Sequence, residues 1–426
     1  MTQIQTTTVL GRWRPIAHRL MISGAMLMGF AQSALAQETT EITVWFGREN
    51  FIPADAFESF HAANPDIQVT TDVVRLEQAV ADTLRAAQSN RAPDIVQVPA
   101  DGLAPLVAQG AVRDVSSLLE AWRAENPAAL DDISSVGLEM ASLDGTPYGV
   151  TLYAGPFWYT YRKDWLNEVS LDEPQTWDDV LEFARAAKAE GYTGFALIGS
   201  RAHDPVWFLS AFMSMGGQFE NGVPQLDSEA GHYLLGFYQT LVREELTSPD
   251  VLAWDSSAMR TAFIGGEAAQ ALLGDNIYPT LNESLEWDAQ WAGARPPARP
   301  GAEEAARTMT LGWPFLVTTD AAEDAAILKV MQYLAHPENV GEVSARYQPG
   351  TVLSVFESED YNGVKPWASS FAEAFSDLAP LPTHPRQTQI YQILLDAMQE
   401  ALNTPDGDPA AIAAKHQAAI RDLVGG

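Results

Sequence analysis

The 426-residue chain contains no cysteine. That absence excludes disulfides, thiolate metal sites, cysteine nucleophiles and a lipid-modified N-terminal cysteine. Positive charge is scarce: 25 Lys and Arg stand against 56 Asp and Glu, a net charge of −31 at pH 7. A phosphate polymer or an anionic lipid surface would be repelled, which argues against a nucleic-acid or membrane-surface partner. Only five of the basic residues are lysine, and no function attaches to that bias. The sequence also lacks H-E-x-x-H, G-x-S-x-G, a P-loop and G-x-G-x-x-G. His61, His203, His232, His336, His384 and His416 show no metal-ligand spacing, so neither a metal nor a cofactor is expected. With so many acids, some carboxylate pair at glycosidase spacing is bound to occur, and abundance alone says nothing about hydrolysis.

What is present is ample core material. The chain is 46% hydrophobic and 10% aromatic, and long enough for two domains of roughly 100–200 residues. One apolar run occurs near the start, Leu20–Phe30, preceded by Arg12, Arg14 and Arg19 and followed by Ala34-Leu-Ala36. A basic region, a short apolar region and an A-x-A site make residues 1–36 a secretory signal, cleaved after Ala36. The run is too short to span roughly 30 Å of hydrocarbon comfortably, and no second one follows. Arg12 and Arg14 are not adjacent, so a twin-arginine signal is poorly supported. A secreted chain without disulfides or lipid points to the periplasm.

After the signal, strands and helices alternate. Glu41–Phe46 and Ile67–Val74 read as strands, with a helix from Pro53 through His61 between them. A helix is predicted over Leu76–Gln88, and Asp94–Val98 has the short apolar run of a buried parallel strand. Asp101 is placed to cap the helix that follows. Pro147–Tyr153 and Phe157–Tyr161 read as two strands. Thr176 with Asp179 forms a capping-box variant before a helix over Val180–Glu190. Phe195–Ile198, Ala268–Leu273 and Thr310–Val317 read as further strands, 292–306 as a surface loop, and Gln389–Leu402 and Pro409–Leu423 as closing helices. Such alternation implies a parallel sheet with right-handed crossovers.

Several blocks, in order, resemble the family-1 extracellular solute-binding proteins of ABC importers, the maltose-binding-protein-like group. They are Ile42–Trp45, Phe57–Asp66, Ala92–Val96, Leu106–Asp114, Asp144–Val150 running into Tyr159–Trp165, Pro174–Asp179, Ala262–Ala269 and Gly312–Val317. The resemblance covers essentially all of 41–426. Arg162 stands where many relatives have Asn, and the Gly266–Ala269 run lacks a Met; neither position is a presumed ligand group.

The resemblance implies an α/β, two-lobed periplasmic-binding-protein fold of type II, the Venus-flytrap architecture, with ligand in the interlobe cleft. One lobe would comprise 37–147 plus 309–352, the other 148–300 plus 357–426, with hinge crossings near 147–153, 300–309 and 351–358. It implies a monomeric receptor that hands a mono- or oligosaccharide to an ABC permease and is not an enzyme. A sugar needs fixed donors and acceptors for its hydroxyls and flat rings for its C–H faces. Residues near strand ends and glycine breaks that supply these are Trp45, Arg48, Asp101, Tyr153, Trp158, Asp275, Asn276, Trp313, Arg346 and Tyr347. Phe157, Trp207 and His203 are further possibilities. Two alternatives stand beside the sugar receptor: the same receptor with a polyamine, metal or anionic-sugar cargo, and a secreted polysaccharide-degrading enzyme.

Overall fold

The computed structural model describes residues 39–202, 204–375 and 378–425. The signal segment 1–36 and its cleavage site lie outside the described residues, as does His203. Among the described residues no helix is long and apolar enough to cross a membrane.

Eight strands form one mixed sheet: β1 (Thr40–Phe46), β2 (Ile67–Val73), β3 (Ile95–Gln97), β4 (Gly149–Tyr161), β5 (Gln270–Gly274), β6 (Ala292–Ala294), β7 (Thr308–Val317) and β8 (Leu378–Pro380). Their order is β6-β4-β7-β3-β1-β2, with β5 also on β4 and β8 also on β7. The expected parallel arrangement holds for β2-β1-β3, where the connections are helical. It gives way to antiparallel pairing from β3 to β7 and from β7 to β4.

Two long strands dominate. All thirteen residues of β4 are buried. Its start pairs with the end of β7 at Gly149–Leu316, and its end pairs with β5 and β6. β7 returns the other way, from β8 at Thr308–Leu378 to β3 at Val317–Ile95. The sequence reading split β4 in two at Gly155-Pro156. Pairing with Leu311 and Thr310 of β7 keeps those residues extended until β5 joins at Phe157, so tertiary context overrides the local break.

The β4–β7 ladder has one irregularity. Gly312 pairs with Ala154, but Pro314 pairs with Thr151, so Leu152 and Tyr153 together oppose Trp313 in a bulge. Pro314 belongs in such a place, because it has no N–H to give a regular ladder. A third segment closes on the other side of the bulge: Tyr153 bridges Gly350, the Ala154 amide donates to the Pro349 carbonyl, and the Thr351 amide donates to the Leu152 carbonyl. Thr351 Oγ1 also donates to the Thr151 carbonyl at 2.6 Å.

Six helices matter below: α1 (Leu76–Ala87), α2 (Trp177–Ala189), α3 (Val206–Ser214), α4 (Ser256–Ile264), α5 (Gln387–Asn403) and α6 (Pro409–Gly425). α2 opens with the reciprocal capping box expected of Thr176 and Asp179. Other expectations shift. Helix formation after Pro53 waits until Glu58, because Ala56 and Phe57 take left-handed φ of 47° and 71° while the Asp55 carboxylate accepts from the Phe57 and Ser59 amides. Phe195–Ile198 forms isolated bridges rather than a strand. The loop expected over 292–306 begins with β6, which pairs with the end of β4. Asp101 is not a cap: it sits inside the 3-10 turn Ala100–Gly102, whose cap position is Pro99.

Candidate functional site

Two cavities of about 260 and 360 Å³ share a wall made by Asp204, Val206, Leu311 and Trp313. The first also meets Gly155 and Phe157 of β4, Arg260 of α4, Gly274 and Asn276 at the carboxyl end of β5, and Gln348. The second meets Asp101 beyond the end of β3, Glu77 of α1, Met140, and Gln387 and Tyr391 of α5. Lining groups at the carboxyl ends of β3 and β5 fit the general position of ligand sites in α/β sheets.

Trp313 is the residue common to both cavities that offers a flat face. The bulge leaves it partly exposed while Gly312 and Pro314 beside it are buried. Phe51 backs it, with ring centroids 5.6 Å apart. On its other side, a Cβ added at Gly155 would lie 2.8 Å from Trp313 Cη2, so only glycine leaves room for the indole. Trp207 meets Phe157 edge to face, centroids 5.2 Å apart, and both line the first cavity.

The two cavities differ in charge. Glu77, Asp101 and Asp204 line the second with no basic residue among its lining. The Asp101 side chain is open to water yet hemmed in by the concavity; this burial, and then the charge of Asp204, raise its carboxyl above the ordinary range. The Tyr391 hydroxyl, which accepts a hydrogen bond from Gln387 Nε2, is pushed up chiefly by burial and further by Asp101 and Asp204. The first cavity holds Arg260, whose Nε is buried without a hydrogen-bond partner. Gln348, 5% exposed, likewise has an unpartnered Oε1 there. Among the described residues no three His, Asp or Glu side chains gather as a metal site.

Of the ten residues singled out from sequence, Asp101, Asn276 and Trp313 line these cavities. The other seven lie elsewhere, for identifiable reasons. Trp158 is fully buried, stacked on Phe371 at 4.3 Å. Asp275 is 3% exposed and held by Lys365 Nζ at 3.1 Å, with Trp158 Nε1 at 3.4 Å, so it belongs to a buried ion pair and not to the cleft. Tyr153 and Tyr347 pack on Phe51 at 5.0 and 5.2 Å, behind Trp313. Trp45 packs partly buried against the cluster containing Val96 and Leu316. Arg48 pairs with Glu77 at 3.6 Å, outside the second cavity's lining, and Arg346 pairs with Glu342 at 3.0 Å. Arg260, Asp204, Gln387 and Tyr391 carry no signal at the strand ends, because they stand on helices or just before one. For Gln348 the adjacent Arg346-Tyr347 pair was a near signal.

Comparison with known proteins now defines the class and then the family. The fold is that of two-lobed binding proteins: the cyclic α-maltosyl-1,6-maltose binding protein from Arthrobacter globiformis superposes with a TM-score of 0.73 at 19% identity, over 90% of this chain and 99% of that one. The sequence profile of the bacterial extracellular solute-binding protein family matches residues 48–341, and the chain belongs to that family. The lactose-binding protein of Rhizobium radiobacter is 24% identical over 329 residues, 72% of this chain and 73% of that protein. The sn-glycerol-3-phosphate-binding periplasmic protein of Escherichia coli O1:K1 / APEC is 27% identical over 181 residues, 40% of each chain.

Proposed function

We propose that the protein is the periplasmic receptor of an ABC importer, capturing a mono- or oligosaccharide and delivering it unchanged to the membrane permease. The observation that carries this reading is Trp313: one indole face shared by two joined cavities, with Asp101, Asn276 and Gln348 around it. Stacking plus a few fixed hydrogen-bonding groups is what a sugar's C–H faces and hydroxyls require. The relatives that bind lactose and a cyclic maltosyl-maltose support the cargo class.

In this reading Asp101, Asn276 and Trp313 contact the sugar, joined by Gln348 and Tyr391. The chain is cleaved after Ala36 and acts as a monomer without turnover. Its halves, 37–147 plus 309–352 and 148–300 plus 357–426, close on the ligand by flexing where β4, β7 and the segment around Gly350 meet. Ligand shifts the population to the closed form only as far as it prefers that form, and the permease reads the closed form.

Titration calorimetry of the purified protein against mono- and disaccharides tests this. One-to-one binding is expected, with no new product on chromatography and a smaller radius of gyration in X-ray scattering. Release of a shorter saccharide, or binding confined to polyamines or metal ions, would overturn it.

A further inference from the structure

The cleft contains a cation with nothing to hold. Arg260 is half-buried, its Nε is sealed from solvent without a partner, and its guanidinium makes no ion pair within 4.0 Å. Several other arginines are already satisfied. Arg48, Arg201 and Arg346 are each paired, with Glu77, Asp396 and Glu342. Arg75, Arg91 and Arg421 form no ion pair but stand exposed, where water satisfies them. Arg260 faces the first cavity, whereas Arg295 and Arg307, which line a separate cavity of about 540 Å³, donate to the carbonyls of Glu373, Glu304 and Ala306. Asp255 acts on it electrostatically, and its Oδ1 accepts the Ser257 and Ala258 amides at 2.9 Å as the cap of α4. A partly buried guanidinium with unmet donors is destabilising until an acceptor arrives, and its planar fork suits a carboxylate or phosphate.

The charge on the far side of Trp313 gives the ligand a direction. Glu77 and Asp101 line only the second cavity, and Asp204 borders both. An anionic group there would face three carboxylates, of which Glu77 is paired with Arg48 at 3.6 Å. An anionic group in the first cavity would meet Arg260.

We propose that the cargo is an acidic saccharide of at least two units, held across Trp313, whose anionic substituent points into the first cavity and is bound by Arg260, while a neutral unit occupies the second. This rests on the carbohydrate reading above and adds the charge and polarity of the ligand. Carboxylate and phosphate share the required chemistry. The acceptor capacity of Gln348 Oε1 is then used by a hydroxyl of the same unit.

The test uses matched pairs that differ in charge: digalacturonate against its dimethyl ester, glucuronate-terminated disaccharides against their neutral counterparts, and trehalose 6-phosphate against trehalose. Each is titrated calorimetrically into the wild-type protein, Arg260→Gln and Arg260→Lys, with circular dichroism melting to confirm that the variants fold. The acidic member of at least one pair is expected to bind roughly 10- to 100-fold more tightly than its neutral partner. Arg260→Gln should abolish that difference, and Arg260→Lys should restore part of it. Preference for the uronates or for the phosphate then identifies the anionic group. Should neutral members bind as well as acidic ones, or Arg260→Gln keep the preference, the inference fails while the saccharide reading stands. Should no saccharide of either charge bind, both fail. If Arg260→Gln does not fold, Arg260→Lys and the wild type still decide: an acidic preference that is absent in the wild type, or that Arg260→Lys leaves undiminished, contradicts the inference.

Discussion

Trp313 and its supports make the sharpest residue-level predictions. Trp313→Ala removes the shared face and should weaken saccharide binding by about 1–3 kcal/mol in calorimetry, with little change in melting temperature because the ring is partly exposed. Gly155→Ala places a methyl 2.8 Å from that indole and should cost affinity by displacing it, although no polar contact is lost. Asp275 behaves oppositely to what its position after β5 suggests. It and Lys365 are buried together, so Lys365→Met strands a carboxylate and should destabilise the fold by about 3–5 kcal/mol in urea unfolding. Asp101 adds a pH signature. Its folded carboxyl holds a proton more tightly than the ordinary value of 3.8, so the folded state carries the extra proton between that value and its raised one, and stability falls as pH rises through the window. Asp101→Asn lacks that loss, so variant minus wild-type stability should climb from pH 3.5 upward and then level off. At this scale the sequence pointed to three residues that line the cavities, Asp101, Asn276 and Trp313. It could not reveal that Trp158 and Trp313, alike in standing on aromatic-rich strands, differ in having Phe371 stacked on one and open space beside the other.

Elements were more legible than residues, because periodicity and capping are local. The α2 cap is an example: Thr176 accepts from the Asp179 amide at 3.3 Å while the Asp179 carboxylate accepts from the Thr176 amide at 2.8 Å. Thr176→Ala should therefore lower stability by about 1 kcal/mol, read from the urea midpoint at unchanged slope. The closing helices α5 and α6 also lie within two residues of their expected bounds. The errors fall where distant chain decides. β4 runs through Gly155-Pro156 because β7 pairs with it there. Phe195–Ile198, apolar enough for a strand, finds only isolated bridges. Arg260 and Tyr391 enter the cleft because α4 and α5 are carried there by the fold, which no local pattern encodes.

For the molecule as a whole, family membership was readable from the order of short blocks, and the net charge of −31 remains to be reconciled with an anionic cargo. The two act over different ranges. The global field extends about one Debye length, roughly 8–10 Å at physiological salt, whereas Arg260 acts on contact. Association of an acidic saccharide should therefore quicken as salt is raised from 20 to 200 mM in stopped-flow fluorescence, while that of a neutral one stays flat. The bulge in the β4–β7 ladder has its own large-scale consequence. Two strands zipped together on either side of one mismatch resist being pulled apart but yield to twisting, so relative movement of the halves would be torsional rather than door-like. If the proposed halves flex at this bulge, Trp313 lies beside the pivot, and its indole emission would then gauge the angle between them.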